Sequence, residues 1–292
     1  INRDVVLQNK DMKIVYTPLH GTGNKPVVKI LDKIGFENVL VVPEQAIPDS
    51  NFSTVESPNP EERSALKMAI DLAQSVSADL VLATDPDGDR TGLALRDKDG
   101  DYIVLTGNQI GILLMDYILK AKASANILSD KSFVVTTIVS TKLTRSIANS
   151  YGVRLFEVLT GFKYIGEIIK DYDENGEMNF EFGFEESYGF LAGTDVRDKD
   201  AIVAVMLIAE MAACARSENK TLYDMLNELY LKYGYASEKT ISIALEGMAG
   251  IEKIKNAMNT LREDETGYFN GIGIDIKSDY LTSKITDYSK KE

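Results

Sequence analysis

The sequence is poor in the residues that form disulfides, histidine metal sites and membrane spans. Its 292 residues include one cysteine, one histidine and no tryptophan. No apolar run reaches the ~18 residues of a transmembrane helix, so we expect no membrane partner. The single cysteine, Cys214, excludes internal disulfides and suits the reducing cytosol, which predicts a cytoplasmic location. Because Cys214 lies in the apolar stretch 201–215, it is predicted to be a buried small side chain.

Positive charge is also scarce. Lys and Arg number 32 against 45 Asp and Glu, and the net charge of −13 argues against a nucleic-acid partner. Phosphate can still be bound locally, by Arg, Lys, a metal ion and helix N-termini. The chain begins at Ile1 without an initiator methionine or an apolar signal segment, so we expect an excised piece of a longer protein.

Strand and helix patterns divide the sequence into three parts. Residues 1–105 follow the order βαβαβ and end in a hairpin across the Asp-Gly turn at 97–101. Residues 106–235 repeat this scheme, whereas residues 236–292 hold too few elements to form a core of their own. The predicted class is α/β, with two successive small domains, each a mixed sheet flanked by helices, plus a partial third α+β unit.

Apolar periodicity and capping residues give the individual elements. The predicted helices span residues 25–34, 60–77, 106–123, 142–151 (capped by Ser140 and Thr141), 164–172, 201–215, 221–233 and 250–262. The predicted strands span residues 12–16, 38–42, 79–83, 91–95, 102–105, 132–138, 153–159, 180–184, 239–245 and 271–276. The acidic segment 171–177 is predicted to be a solvent-facing turn.

The most informative stretch is TDPDGDR, residues 84–90, which directly follows a buried strand. Its three aspartates alternate around a tight turn and repel one another unless a cation lies between them. Hard oxygen ligands at this density favour Mg2+. Arg90 adds a planar donor that suits phosphate. We predict Asp85, Asp87 and Asp89 as metal ligands and Arg90 as a phosphate contact beside the metal.

Three alternatives exist for this loop. A polar turn is the simplest, although a mere turn seldom contains three aspartates and an arginine. An EF-hand fails on spacing, because Gly88 falls at the fourth position and Arg96 stands where the closing glutamate belongs. The nucleophile loop of a haloacid dehalogenase phosphatase would have Thr or Val where this chain has Asp89.

A second cluster, FGFEESYG at residues 182–189, also follows a buried strand. A carboxylate can accept hydrogen bonds from two neighbouring sugar hydroxyls at once. In an extended stretch, Glu185 and Ser187 point to one side and Glu186 to the other. We therefore predict Glu185 and Ser187 as ligand contacts and Glu186 as their support. The alternative is a strand-end turn without a ligand.

Together these motifs resemble those of the α-D-phosphohexomutases, the phosphoglucomutase and phosphomannomutase superfamily. Its second domain carries such a metal loop and its third a Glu-x-Ser sugar loop, in the same order and approximate spacing. Segments 17–23, 159–163 and 196–200 resemble a strand-to-helix turn, a Thr-Gly-aromatic turn and a charged loop of these domains. The resemblance covers essentially the whole chain. The FEESYG motif is most similar to that of bacterial phosphoglucomutases and the related phosphopentomutase-like group.

The resemblance implies that residues 1–105 are the second domain, residues 106–235 the third and residues 236–292 the incomplete start of the fourth. The superfamily's phosphoserine loop and its Arg-Pro-Ser-Gly-Thr-Glu-Pro-like phosphate loop are not found in the sequence. The implied activity interconverts hexose 1-phosphate and hexose 6-phosphate through a phosphoserine and a bisphosphorylated sugar. Arg90 would be a catalytic residue that neutralises the phosphate during transfer. Its cofactors would be Mg2+ and glucose 1,6-bisphosphate, and this chain alone is expected to be inactive without the first and fourth domains.

The resemblance and the turn positions also suggest weaker site candidates. His20 is either a satisfied turn residue or a polar group beside the phosphate or metal, and Ser140 is weaker still. Four further residues are possible phosphate contacts, with a helix cap or a surface charge as the alternative: Thr160, Gly161, Lys163 and Arg197.

Rival functions stay open at this point. The enzyme could act on mannose or pentose phosphates, because sugar preference also depends on domains that are not found here. A phosphatase would use Asp85 as a nucleophile. A sugar-phosphate binder without catalysis is the third rival.

Overall fold

The structure, a computed structural model, describes residues 1–238 and 245–289. The chain divides into two units, Ile1–Ser237 and Glu238–Glu292. The first unit contains two mixed sheets flanked by helices, which confirms the predicted α/β class. The predicted boundaries after residues 105 and 235 stay predictions.

The first sheet has the strand order β2-β1-β3-β4-β5. Strand β1 pairs in parallel with β2 and β3, while β3–β4 and β4–β5 are antiparallel. Its elements are α1 (Arg3–Gln8), β1 (Lys13–Thr17), α2 (Asn24–Ile34), β2 (Asn38–Val41), a 3-10 turn (Pro43–Gln45), α3 (Lys67–Val76), β3 (Leu80–Thr84), β4 (Thr91–Arg96) and β5 (Tyr102–Val104). Parallel strands β1 and β3 end at the same edge, so the 17–23 turn meets the TDPDGDR loop there.

The second sheet repeats this plan with the order β7-β6-β8-β9. Strand β6 pairs in parallel with β7 and β8, and β9 is antiparallel to β8. Its elements are α4 (Gly107–Ser124), β6 (Ser132–Thr137), α5 (Leu143–Tyr151), β7 (Arg154–Val158), α6 (Phe162–Asn175), β8 (Asn179–Glu185), β9 (Gly189–Leu191), α7 (Ala201–Ser217) and α8 (Leu222–Tyr233). The predicted repeat is therefore confirmed at the level of strand order.

Helix α7 joins the two halves of the first unit. It packs on α1, α2, β3 and β4 of the first half and on α4, α8 and β9 of the second. A helix that is apolar all round needs cover on every side, and this position supplies it. Asp200 caps its N-terminus by accepting hydrogen bonds from the N–H groups of Ile202 and Val203. The start of α7 lies beside the TDPDGDR loop, since Ala201 N donates to Gly88 O at 3.2 Å.

The predicted helix 60–77 is too long at its start, since α3 begins only at Lys67. The side chain of Asn59 accepts a hydrogen bond from Glu61 N at 3.1 Å, and its carbonyl accepts one from Glu62 N. Such side-chain contacts compete with helical hydrogen bonds. Arg63 also reaches away to the carbonyl of Tyr102. Residues 57–66 therefore form a series of turns.

Smaller differences have similar local causes. The acidic segment 171–177 is not a turn, because α6 continues to Asn175. Ser140 does not cap α5; its hydroxyl lies 2.9 Å from that of Thr137, while Thr141 Oγ1 accepts from Leu143 N at 3.4 Å. The sequence analysis did not predict helix α1 or the short strand β9.

The second unit consists of α9 (Gly247–Glu263) and two hairpins. These are formed by β10 (Tyr268–Phe269) with β11 (Ile272–Gly273), and by β12 (Ile276–Asp279) with β13 (Lys284–Asp287). The predicted strand 271–276 is wrong, since that segment is divided between β11 and the start of β12. The predicted strand 239–245 lies outside the described residues except for Leu245. Across residues 1–238 and 245–289, no helix is long and apolar enough to cross a membrane.

Helix α4 packs so closely on β8 that residue 111 must be glycine. A Cβ atom there would lie 2.3 Å from the ring of the buried Phe184. We expect Gly111→Ala to lower the free energy of unfolding by about 1–3 kcal/mol, because overpacking forces side chains out of place. Urea unfolding followed by circular dichroism measures this. The control, Lys120→Ala at an exposed position of α4, should change stability by under about 0.5 kcal/mol. An unchanged or higher stability for Gly111→Ala would contradict this packing.

Candidate functional site

The three aspartates of the TDPDGDR loop converge. One carboxylate oxygen from each of Asp85, Asp87 and Asp89 lies within 4.8 Å of the others. The buried Asp85 shapes the loop, because its Oδ1 accepts hydrogen bonds from the N–H groups of Asp89 (3.0 Å) and Arg90 (2.9 Å). Gly88 takes the left-handed conformation with φ of +77°, which glycine adopts without strain. The chain therefore folds around one carboxylate and presents the other two beside it.

The 17–23 turn packs against this loop. Thr22 N donates to Pro86 O at 2.8 Å, and Gly21 lies so close that a Cβ atom would be 2.4 Å from Pro86 Cα. At the end of β3, the hydroxyls of Tyr16 and Thr84 are 2.8 Å apart and buried. The absence of side chains at the turn's glycines is what allows the two loops to touch.

His20 lies in the same turn with φ of +65° and is buried. Its Nδ1 is 2.9 Å from Ile47 O, which can only accept, so Nδ1 carries the proton. Its Nε2 is 2.7 Å from Thr54 Oγ1. Both ring nitrogens are thus engaged within the turn and its neighbouring loop, and a role at the phosphate stays an untested prediction.

Arg90 is held at several points. Its Nη1 donates to Glu61 Oε1 at 2.9 Å, and its Nε lies 3.8 Å from Asp85 Oδ2 and 4.0 Å from Asp89 Oδ1. Its backbone forms a β-bridge with Gly189. The guanidinium thus lies against the aspartate cluster.

The aspartate cluster carries an excess of negative charge. Burial, together with the charges of Asp89 and Asp87, raises the pKa of Asp85 to about 7, although the N–H of Arg90 opposes the shift. The surroundings thus disfavour the ionised form of Asp85. A divalent cation with oxygen ligands at roughly 2.1–2.5 Å would fit between oxygens at this separation and remove the repulsion. The donor set therefore suits a hard cation such as Mg2+.

The second predicted motif is a tight turn and not an extended stretch. Glu185 pairs with Gly189 across the β8–β9 hairpin, and Tyr188 closes the turn with φ of +66°. Glu186 Oε2 accepts a hydrogen bond from Thr137 Oγ1 at 2.8 Å and lies 3.5 Å from Ser140 Oγ. The prediction that side chains alternate in an extended stretch from Glu185 to Ser187 is therefore wrong. Glu186 is nevertheless held by a hydrogen bond at the end of β6. Ser140 contributes to that anchor.

Glu185 is buried beneath the turn at the start of α6. Its Oε1 accepts a hydrogen bond from Gly161 N at 2.6 Å. Burial raises the pKa of Glu185, and this outweighs the opposing effects of the Gly161 N–H and the charge of Lys199. Ser187 is half-buried at the tip of the hairpin. Whether these two residues contact a sugar stays a prediction.

The structure brings the two motifs together. Besides the bridge between Arg90 and Gly189, Thr91 N donates to Tyr188 O at 3.0 Å. Gly107, at the start of α4, packs on the same turn, where a Cβ atom would lie 2.1 Å from Glu186 O. The aspartate loop and the Glu-Glu-Ser-Tyr turn thus form one continuous surface, joined through backbone contacts.

Lys199 is the site residue that the sequence analysis missed. Its Nζ lies 3.1 Å from Asp89 Oδ2 and 2.9 Å from Asp198 Oδ1. Its side chain crosses Gly189, where a Cβ atom would lie 2.2 Å from Lys199 Cδ. Burial lowers the pKa of Lys199, but the hydrogen bonds to Asp198 and Asp89 outweigh it, so the pKa is raised. The lysine therefore stays charged between the two motifs. The charged run at 196–200 was the available signal, but it pointed equally to each basic residue.

The remaining candidates lie on a neighbouring surface. Thr160, Lys163 and Arg197 are exposed, and the ammonium of Lys163 lies 4.9 Å from the ring centre of Tyr164. Lys163 and Arg197 line one groove along α6 together with Lys170. Their role as phosphate contacts stays a prediction.

Two parts of the chain match profiles of one protein family. Residues 2–100 match the family profile described as phosphoglucomutase/phosphomannomutase, alpha/beta/alpha domain II, and residues 106–233 match domain III of the same family. With its two mixed sheets and its converging aspartates, the chain belongs to the phosphoglucomutase/phosphomannomutase family. The predicted family is therefore confirmed.

Individual relatives agree with this assignment. The phosphoglucomutase of Staphylococcus aureus (strain N315) is 38% identical over 284 residues, covering 97% of this chain and 50% of the relative. The chain thus spans about half the length of the curated relatives it matches. Among solved structures, Paramecium parafusin, a phosphoglucomutase in its open form, covers 98% of this chain and 49% of its own, with a TM-score of 0.62 and 18% identity. An Aspergillus fumigatus N-acetylphosphoglucosamine mutase, solved with GlcNAc-6P and magnesium, covers 79% and 51%, with a TM-score of 0.53 and 16% identity.

The raised pKa of Glu185 predicts a pH-dependent cost to stability. Between its unfolded pKa near ~4.3 and its higher folded pKa, ionisation destabilises the folded state, so stability falls as pH rises. Glu185→Gln keeps the acceptor for Gly161 N but removes this charge. We expect the variant to gain stability relative to the wild-type chain as the pH rises above the unfolded pKa of a glutamate. Urea unfolding across this range tests it, with the exposed Glu167→Gln on α6 as control. A constant difference across the pH range would refute the expectation.

Proposed function

We propose that this chain provides the metal loop and the sugar-binding turn of a phosphohexomutase, and specifically of a phosphoglucomutase. The reaction interconverts hexose 1-phosphate and hexose 6-phosphate through a phosphoserine and a bisphosphorylated sugar. The observation that carries the proposal is the convergence of three aspartates beside Arg90, on the surface shared with the Glu185–Gly189 turn. The identity to phosphoglucomutases supports the choice of sugar.

The metal in this proposal is Mg2+, held by Asp85, Asp87 and Asp89. When bound, it would polarise a phosphate oxygen and neutralise part of the charge of the transferred group. The excess negative charge of the loop supports this assignment, as does the magnesium in the related Aspergillus mutase. The chain spans about half the length of its curated relatives. In this proposal the phosphoserine lies outside the chain, and one of its oxygens would be a further ligand of the metal. We therefore expect this chain alone to bind the metal weakly.

The side chains of the site have separate tasks. In the first transfer, the bond between phosphorus and the serine oxygen breaks while a bond to a sugar oxygen forms. In the second, a phosphorus–oxygen bond of the bisphosphorylated sugar breaks while the bond to the serine oxygen forms again. Arg90 and Lys199 are the cations positioned to stabilise the negative charge of that group. Glu185 would accept hydrogen bonds from sugar hydroxyls, and Ser187 would donate hydrogen bonds to them or accept hydrogen bonds from them. Lys163, Arg197, Thr160 and Gly161 would contact a phosphate at the start of α6.

The ligands follow from the same reaction. Glucose 1,6-bisphosphate would serve as intermediate and activator, and the partners would be hexose phosphates. Mannose and pentose phosphates are the alternative substrates, because the described residues do not distinguish the sugar ring. We retain the cytoplasm as the expected location, in line with a single cysteine.

Metal binding at the aspartate loop can be measured on this chain. We expect Asp87→Asn to weaken Mn2+ binding, used in place of Mg2+, by about tenfold or more, because affinity follows the charge of the oxygen ligands. Electron paramagnetic resonance reports the free Mn2+ in such a titration. The matched control is Asp99→Asn, in the exposed acidic turn after β4. Equal losses in both variants, or none in either, would refute a specific site.

Turnover provides the second test. We expect this chain alone to convert no glucose 1-phosphate to glucose 6-phosphate in a coupled dehydrogenase assay, because the phosphoryl donor is not among its residues. It should nevertheless bind either sugar phosphate in the presence of Mg2+, and Glu185→Gln should weaken that binding. Turnover by the chain alone would overturn the expected dependence on further domains. A phosphorylated Asp85 trapped with substrate would indicate a phosphatase instead.

A further inference from the structure

Residues 57–66, which we call the strap, pass directly over the beginning of β4. The buried Pro60 packs on Gly92, where a Cβ atom would lie 2.8 Å from Pro60 Cβ and 3.0 Å from Pro60 O. The Asn59 side chain fixes the next turn by accepting a hydrogen bond from Glu61 N at 3.1 Å. Arg63 then donates to Tyr102 O at 3.0 Å on β5. The strap is therefore fastened to the sheet on both sides of Glu61.

This fastening places Glu61 against Arg90. Glu61 Oε1 accepts a hydrogen bond from Arg90 Nη1 at 2.9 Å. Burial raises the pKa of Glu61, the charge of Arg90 opposes that shift, and the nearby charge of Glu186 adds to it. Glu61 also raises the pKa of Tyr188 in the hairpin turn, although burial is the main cause there. Glu61 thus lies between the aspartate loop and the turn that follows β8.

We propose that Glu61 is a positioning residue that fixes the side chain of Arg90 for binding the transferred phosphoryl group. The inference rests on the proposed function. A guanidinium has five N–H donors, and Glu61 occupies one of them, which leaves donors for a phosphate. An arginine that is already ordered loses less side-chain entropy when it binds.

The contact differs from an ordinary surface ion pair. Glu61 and Arg90 side chains are 32% and 37% exposed, and exposed pairs contribute little to stability. Here the backbone that carries the carboxylate is held by contacts of Pro60 and Asn59 that do not involve the arginine. Glu62, the next residue, is exposed, and its carboxylate lies 3.5 Å from the hydroxyl of Ser64. The pair therefore matters for where Arg90 lies more than for how stable the fold is.

The test measures phosphate and metal binding separately on the whole 292-residue chain. Inorganic phosphate is titrated in the presence of Mn2+, with the broadening of the 31P resonance as readout. We expect Glu61→Ala to weaken phosphate binding by about two- to tenfold, the cost of ordering one side chain, while Mn2+ affinity stays within about twofold. Glu61→Gln keeps an acceptor for Arg90 and should lose less. The control, Glu62→Ala, should match the wild type.

Other outcomes overturn the proposal. Unchanged phosphate affinity in Glu61→Ala would make the pair merely structural, and tighter binding would make Glu61 a competitor of phosphate for Arg90. If Glu61→Ala does not fold, Glu61→Thr, whose shorter side chain has no carboxylate for Arg90, is compared with the wild type by 15N spectra of the arginine side chains. Faster rotation of the Arg90 guanidinium supports positioning, and unaltered rotation refutes it. A wild-type chain that binds Mn2+ but no phosphate would instead refute the proposed function, and the inference with it.

Discussion

The carboxylate of Asp85 is the group on which the site depends. It is buried, it accepts two backbone N–H groups of its own loop, and it stands beside two more aspartates. Hydrogen bonds favour its charge, whereas burial and its neighbours oppose it. This conflict would vanish with a cation in the cluster. The proposed metal site at this loop is consistent with that conflict.

The surroundings of Asp85 follow from this requirement. The 17–23 turn reaches the loop only because Gly21 and Gly23 have no side chains. Lys199 and Arg90 bring positive charge from two different directions, one from the loop before α7 and one from the start of β4. Strand ends of the two sheets meet at this point, as ligand sites in α/β proteins commonly require. The repeated sheet plan thus serves to gather short polar loops on one surface.

Much of this could be predicted from the sequence, for identifiable reasons. The apolar run before Asp85 and the periodicity of α7 gave the elements that carry the loops, and the aspartate spacing gave the loop itself. The strap could not be predicted, because the Asn59 side chain replaces helical hydrogen bonds that its sequence otherwise favours. The hairpin after Glu185 was mistaken for extended chain, because its left-handed residue is Tyr188 and not glycine. The place of Lys199 in the site could not be predicted, because its side chain crosses closely over Gly189 and no sequence pattern reveals this contact.

Helix α7 has a consequence for how the two halves can be separated. Its residues come late in the chain, yet they cover α2, β3 and β4 of the first sheet as well as α4 of the second. Cutting the polypeptide between β5 and α4 would leave the amino-terminal piece with an uncovered apolar face. The two halves resemble each other in topology, but they share a single helix, and that helix stays with the carboxy-terminal piece when they are divided.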